Sequence, residues 1–207
     1  MFRKTLVTAI SAALVLALLT VTALTGCGGE EPAAVSSEPS EVVSDTGRQD
    51  GERFESVIIL EGMEETIRCE HVRNEKMGFE LDFDFDLLER NGEASFVSRF
   101  DDLEKPENYL ELAISEGGNA KTVAASVKKS LKKAFKTVKS ESYTLEQAGE
   151  CTRLSASDAK KGNALQTVYV IPTNDNCLIV TVHCTMESAE GYGARFDAMV
   201  NTISVLD

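Results

Sequence analysis

A run of alternating carboxylates is the chemically richest feature of this 207-residue chain. Asp82, Asp84 and Asp86 occupy every second position, and Glu80 and Glu89 lie close by. Calcium takes six to eight oxygen ligands, but an EF-hand loop also needs a glycine at its sixth position, where this run has bulky phenylalanines between its acids. Alternate residues of a strand lie about 7 Å apart, too far for neighbouring carboxylates to share one ion. The sequence therefore favours a solvated outer strand face, with a basic neighbour relieving the repulsion, and we predict no metal site.

The histidines offer little catalytic chemistry. His71 and His183 both fall within strand-like patterns, which is more typical of structural histidines than of general bases. The chain has no G-x-S-x-G turn, no phosphate-binding glycine loop and no H-E-x-x-H pair. We therefore predict that the protein is not an enzyme and has no cofactor. A hydrolase remains the third hypothesis, because the carboxylate pairs of glycosidases leave no sequence spacing to recognise.

Five cysteines are present, and one of them, Cys27, belongs to the N-terminal segment. The other four permit two disulfides in any of three pairings, or they are free and buried as small apolar residues; they are Cys69, Cys151, Cys177 and Cys184. Cys177 and Cys184 lie seven residues apart on one predicted strand, face opposite sides and should not pair. A zinc site with His183 is disfavoured because no C-x-x-C spacing supports it.

A lysine-rich helix is the second candidate site. Gly117–Asn119 provides a break and an N-cap, and helical spacing predicts a helix from Ala120 to about Lys136. Its apolar arc consists of Val123, Val127, Leu131, Ala134 and Phe135. The opposite face carries Lys121, Lys128, Lys129, Lys132, Lys133 and Lys136. This face is either an ordinary solvated surface or a binding face for an anionic ligand or lipid.

The N-terminus has the layout of a secretory signal. Met1–Lys4 is basic, and residues 5–29 carry no charge, a length that would also suit a transmembrane anchor. Leu24-Thr25-Gly26-Cys27 resembles the lipobox of bacterial lipoproteins. That resemblance implies a signal peptide over residues 1–26, a diacylglycerol on Cys27 with palmitate-type acylation, and a location at the cell membrane on its extracytoplasmic side.

The composition then divides the mature chain into a tether and a domain. Residues 27–51 comprise the lipidated cysteine and a segment without aromatic residues, which we expect to be a flexible linker. Hydrophobic patterning runs over residues 52–207, enough for one globular domain. The formal net charge is −13, and −15 once Arg3 and Lys4 leave with the signal peptide. Such an acidic chain is not expected to bind nucleic acid.

Strand and helix patterns in residues 52–207 predict an α+β fold. Alternation is strictest in Gly78–Asp86, which places Phe79, Leu81, Phe83 and Phe85 inward. The other predicted strands are Ser56–Leu60, Glu65–Val72, Ala94–Phe100, Tyr109–Ser115, Cys151–Ala156, Ala164–Ile171 and Cys177–Thr185. A second helix is predicted over about Ala189–Thr202, with Tyr192, Phe196, Met199, Val200 and Ile203 in register. Strands, helix, strands, helix is the order of a mainly antiparallel sheet flanked by two helices.

This element order, together with the opening Gly78-Phe79-Glu80-Leu81-Asp82-Phe83, resembles the PsbP-like superfamily. The family pattern continues with a proline, where this chain has Asp84, and with a tryptophan, which this chain lacks. The resemblance covers most of residues 64–207 and implies a PsbP-like sandwich with a binding or assembly role.

The sequence thus predicts a membrane-tethered, extracytoplasmic module that binds an envelope protein without catalysis. The alternative is a small-molecule or anionic-lipid binder that uses the lysine face.

Overall fold

The structure is a computed structural model, and it describes residues 47–60 and 62–206. The signal peptide, Cys27 and most of the linker lie outside the described residues. The fold is α+β, with two helices and two sheets whose strand pairs are antiparallel, so the predicted fold class is confirmed. The strands are β1 (Arg53–Leu60), β2 (Met63–Asn74), β3 (Phe79–Asp84), β4 (Leu88–Arg90), β5 (Ser95–Ser98), β6 (Tyr109–Glu116), β7 (Phe135–Leu145), β8 (Gly149–Ala159), β9 (Ala164–Pro172), β10 (Asn176–Thr185) and β11 (Ser204–Val205); the helices are α1 (Ala120–Ala134) and α2 (Ala189–Asn201).

The smaller sheet has the order β1-β2-β3-β11, so β1 is an edge strand. The register pairs Cys69 with Asp84 and Val72 with Leu81. Because side chains alternate between faces, the phenylalanines and leucine of β3 point into the main core and its carboxylates point to the other face. Phe79, Leu81 and Phe83 are buried as expected, whereas Phe85 lies beyond the end of β3 and is only half-buried.

The larger sheet has the order β4-β5-β6-β10-β9-β8-β7, and both of its faces are covered around β8–β10. Tyr169 and Ile171 of β9 point into the main core, which β3 and α2 also line. Val168 and Val170 alternate with them and point into a second cluster beneath α1. The two helices therefore pack on opposite faces of this sheet.

Helix α1 begins where the sequence predicts but ends two residues earlier. The side chain of Asn119 accepts a hydrogen bond from the Thr122 N–H, which caps the first turn. The helix ends at Ala134, and Phe135 is already in extended conformation as the first residue of β7. Lys136 therefore belongs to a strand and not to the helix, and Ala134 is exposed instead of completing the apolar arc.

Strand β7 is the largest error of the sequence-based assignment. Its eleven residues are mostly polar, and only its two ends, Phe135 and Leu145, are buried. Such a pattern lacks the apolar alternation by which a half-buried strand is recognised. β7 pairs with β8 along nearly its whole length and forms one edge of the large sheet. The opposite edge of that sheet is the three-residue strand β4.

Helix α2 follows its predicted register, with Phe196, Met199, Val200 and Ile203 packed in the main core and Tyr192 half-buried against it. The helix lies against β3 and β10 and also contacts β1. Among the described residues, neither helix combines the length and the apolar character that crossing a membrane would require.

Candidate functional site: a buried ion network and the groove beside it

The carboxylates of β3 are not on a solvated face, so that part of the sequence interpretation is wrong. Glu80 is 1% exposed and Asp84 is 6% exposed, and the Asp82 side chain is 13% exposed. Only Asp86, which follows the strand, keeps the expected exposure, and Arg68 lowers the pKa of its carboxyl group by a hydrogen bond. The acids are buried because basic side chains from three other parts of the chain reach them.

Arg195 of α2 is the first of these partners. Its guanidinium donates to Asp84, with Nη1 to Oδ2 at 2.6 Å, and to the Glu65 carboxylate. Asp84 also accepts the Asp86 backbone N–H at 3.0 Å. A guanidinium matches two carboxylates well because its donors are held in a planar fork. The contact fastens α2 to β2 and to the end of β3.

His71 of β2 stands between two further acids of β3. Its Nδ1 lies 2.7 Å from Asp82 Oδ1, and its Nε2 lies 3.6 Å from Glu80 Oε2, too far for a hydrogen bond. Within the described residues this Nε2 is the one buried side-chain nitrogen or oxygen atom with no hydrogen-bond partner. Glu80 is held by Arg73 at 3.0 Å and by the Ser204 hydroxyl at 2.8 Å. The network therefore also joins β11 to β3.

Cys69 lies beside these acids and is 4% exposed. The pKa of its thiol is raised to about 12, mainly by burial and also by the nearby Asp82 and Asp84, while Arg48 acts in the opposite direction. The thiolate is the nucleophilic form of cysteine, so this residue is held in its unreactive form.

The arrangement resembles an acid–base pair but is enclosed. A general base must come within hydrogen-bond reach of its substrate, and the His71 ring is 1% exposed. We therefore read the network as a structural device that holds α2 and β11 on the small sheet. Sequence reasoning missed it because Arg195 lies more than a hundred residues from Asp84; the usable signals were the acids of β3 and the lone arginine of α2.

A groove of about 590 Å³ runs between β1 and α2, next to this network. Ile58 of β1 packs with Ala198 of α2 at its base. Its lining residues are Arg48, Ser56, Val57, Ile58, Ile59, Asp82, Glu146, Gln147, Ala194, Asp197, Ala198, Asn201 and Thr202. Three carboxylates face one arginine there, and that arginine already pairs with Asp82, so the groove is acidic.

The free edge of β1 borders this groove. The His71 N–H donates to the Glu52 carbonyl, and the register with β2 is regular from Arg53 to Leu60. The backbone groups of every second residue therefore point away from β2, namely those of Arg53, Glu55, Val57 and Ile59. Residues 47–60 and 62–206 supply no hydrogen bond to these outward groups. Val57 and Ile59 are also 58% and 62% exposed.

A larger depression of about 730 Å³ lies near the start of the described chain. Its walls are charged, and those charges largely satisfy one another. Arg90 pairs with Asp50, and Lys76 pairs with Glu93. The β1 groove is the stronger candidate because it combines apolar side chains with unused backbone groups.

The lysine face is present as a surface, with the correction that Lys136 lies on β7. Lys121, Lys129, Lys132, Lys133 and Lys136 are exposed and Lys128 is half-buried. Lys121 and Lys128 border a depression of about 430 Å³ above β7 and β8, which Ser140, Ser142 and Thr152 also line. Lys160 Nζ bonds the Lys132 and Lys133 carbonyls at the end of α1.

The four cysteines of the described chain are free and buried. Cys177 lies beneath α1 and Cys184 lies at the other end of β10, which agrees with the prediction that they do not pair. His183 stacks on Tyr109 with ring centroids 4.9 Å apart, and its Nδ1 lies 2.9 Å from the Glu107 carbonyl oxygen. Within residues 47–60 and 62–206, no group of histidines, cysteines and acids could hold a metal ion.

Comparison with known proteins gives structural neighbours only. No family model matches the chain, and no curated protein matches it. The chain is similar in structure to the PsbP protein of the cyanobacterium Synechocystis, at 13% identity and a TM-score of 0.44, over 66% of this chain and 92% of that one. It is also similar to the Ran-binding protein Mog1p of Saccharomyces cerevisiae, at 11% identity and a TM-score of 0.44, over 68% and 97%. LpqN of Mycobacterium tuberculosis, described as involved in cell envelope biogenesis, matches at 11% identity and a TM-score of 0.41, over 77% and 87%. A PsbP protein is thus among these neighbours, and membership of the PsbP-like superfamily remains a prediction.

Proposed function

We propose that this chain is a membrane-tethered, extracytoplasmic binding module, anchored through Cys27, that holds an extended segment of an envelope protein along β1. The free edge of β1 beside the groove carries this proposal. An exposed sheet edge is a template for another strand, whose main chain supplies affinity while side-chain pockets supply specificity.

The two long edges of the structure differ in a way that favours β1. Edge strands of soluble proteins are normally protected by charges that discourage pairing. β7 has such charges along it, including Lys136, Lys139 and Glu141. The second half of β1 instead exposes Val57 and Ile59.

The groove also supports an expectation about the residues of the bound segment. An added strand would lie along the outward edge of β1 and border the groove, whose α2 wall carries Asp197 and Asn201. Asp197 also accepts a hydrogen bond from the Tyr169 hydroxyl at 3.4 Å. Because the groove is acidic, we expect a segment with alternating apolar and basic residues. Tethering would raise the effective concentration of the module for such partners at the membrane.

The proposal can be tested by crosslinking on intact cells with a photoreactive amino acid at position 57 of the full chain. We expect one protein in near-stoichiometric yield, because the outward edge of β1 would lie directly against it. The matched control carries the same photoreactive residue at Met186, which is 62% exposed and lies outside β1. Equal capture from both positions, or capture from neither, would contradict the proposal.

A backbone variant separates strand addition from simple apolar contact. Val57→Pro removes one outward N–H while leaving the hydrogen bonds to β2, a place where an edge strand tolerates proline. Val57→Thr keeps that N–H and alters the side chain. If the partner binds by strand addition, Val57→Pro should abolish capture and Val57→Thr should retain most of it.

A further inference from the structure

We propose that the lysine face of α1 and the start of β7 docks on the anionic phospholipid headgroups of a bilayer. The proposal is independent of the partner segment bound at β1. It concerns the face of the large sheet that α1 covers, whereas the groove beside β1 lies next to α2 on the other side. Its test needs no protein partner.

Charge segregation is the observation behind it. Residues 117–140 contain seven lysines and no acid, within a chain of net charge −13. All eight arginines of the described chain form ion pairs with carboxylates. Within residues 47–60 and 62–206, no lysine of this segment has a carboxylate within 4.0 Å. Six of the seven belong to the lysine face, whereas Lys139 follows Val138 on β7 and points to the other side of the sheet. The positive charge of these six is thus concentrated on one face, and no carboxylate of the described residues pairs with it.

The geometry of α1 presents these charges outward. Val123, Ala124 and Leu131 are buried against the sheet and Val127 packs beside them, so the lysines occupy the outward part of the helix. The depression between Lys121 and Lys128 contains hydroxyl donors from β7 and β8 and has room for a phosphate group. Glu141 also lines it, and its carboxylate is paired with Arg153. Lys160 adds a further positive charge at the C-terminal end of the helix.

A headgroup layer fits this face better than an acidic protein does. The energetic centre of a protein interface is normally a large apolar or aromatic anchor in a well-packed pocket. The large exposed apolar side chains of the described residues are Val57, Ile59, Met63, Phe100, Leu103 and Met186, and none of them lies on α1 or β7. A surface of lysines without apolar anchors matches a layer of anionic headgroups, to which each nearby lysine adds roughly a fivefold factor in affinity.

For the test, the full chain is reconstituted into vesicles through its N-terminal segment. Its lysine side chains are then acylated with an amine-reactive reagent, and mass spectrometry measures the labelling rate of each lysine. In phosphatidylglycerol vesicles we expect Lys128 and Lys132 to be labelled at least about fivefold more slowly than in phosphatidylcholine vesicles. Lys76 and Lys105 are internal controls, exposed and away from α1, and should label equally in both. Added salt should remove the protection because it screens exposed charges.

Charge reversal provides the matched comparison. Lys128→Glu with Lys132→Glu should abolish the protection of the remaining α1 lysines, whereas Lys76→Glu with Lys105→Glu makes the same change in net charge and should leave it intact. Equal labelling in the two vesicle types would overturn the proposal, as would equal loss in both double variants. Protection by free glycerol phosphate, without vesicles, would also overturn it in favour of a soluble anion. Protection in isolated envelopes but not in vesicles would overturn it in favour of another polyanion.

Discussion

Removing Arg195 should reveal how far the ion network holds the fold together. Arg195→Met deletes the positive charge that faces Asp84, whose side chain is 6% exposed, and leaves that carboxylate with the Asp86 N–H alone. Breaking a buried ion pair from one side costs about 3–5 kcal/mol. Because the Arg195 side chain is 19% exposed, we expect the lower end, about 3 kcal/mol of unfolding free energy. That corresponds to a fall in Tm of roughly 6–12 °C for a domain of this size.

Urea unfolding of the full chain, followed by circular dichroism, measures this loss. Glu65→Gln is the matched control, since Glu65 is the more exposed partner of the same arginine at 43%. Exposed ion pairs contribute at most about 1 kcal/mol, so this variant should change little. Asp84→Asn completes a double-mutant cycle with Arg195→Met, and we expect a coupling energy of about 2 kcal/mol. The reasoning would be refuted if Glu65→Gln cost as much as Arg195→Met, or if the two changes at Asp84 and Arg195 were simply additive.

Three further changes test other parts of the structure. The Cys69 thiol has its pKa raised to about 12, so it should resist alkylation in the folded chain. The unfolding free energy should fall as pH rises above the ordinary cysteine value of about 9, because the unfolded chain then loses this proton first. Cys69→Ala should make that fall less steep in urea titrations at pH 8 to 11 without removing it, since burial also raises the thiol pKa of Cys151, Cys177 and Cys184. Gly118→Ala would place its Cβ 2.7 Å from Val123 Cγ2, so we expect a lower Tm by calorimetry. Gly193→Ala meets nothing within 4 Å in α2 and should raise stability by about 0.5–1 kcal/mol in urea titrations; a loss would show that the helix cannot accept the methyl group.

The elements that the sequence predicted well are those whose burial follows a simple period. Both helices and most strands have one apolar face each, and their residues could be assigned from spacing alone. β7 could not, because it lies at the edge of the sheet with only its ends buried. Its beginning also continues the helical spacing of α1 through Phe135, so the boundary between helix and strand carried no local signal.

The acids of β3 illustrate the limit of local pattern for a site. Alternation correctly located a strand with an apolar face and a carboxylate face. It could not show that Arg195, His71 and Arg73 cover the second face, because burial of a charged residue depends on partners distant in sequence. Likewise, the free edge of β1 follows from strand order, which sequence spacing does not specify.

The direct passage from α1 into β7 has a consequence for how the lysines can move. No residue intervenes between Ala134, the last of the helix, and Phe135, the first of the strand, and Phe135 is buried while its N–H bonds the Leu131 carbonyl. The backbone of the last helical turn is therefore joined rigidly to β7. The lysines of that turn cannot change their orientation relative to the large sheet except by side-chain rotation. A surface that binds α1 would therefore fix the orientation of the whole domain relative to that surface. The same contact would set the angle at which β1 is presented.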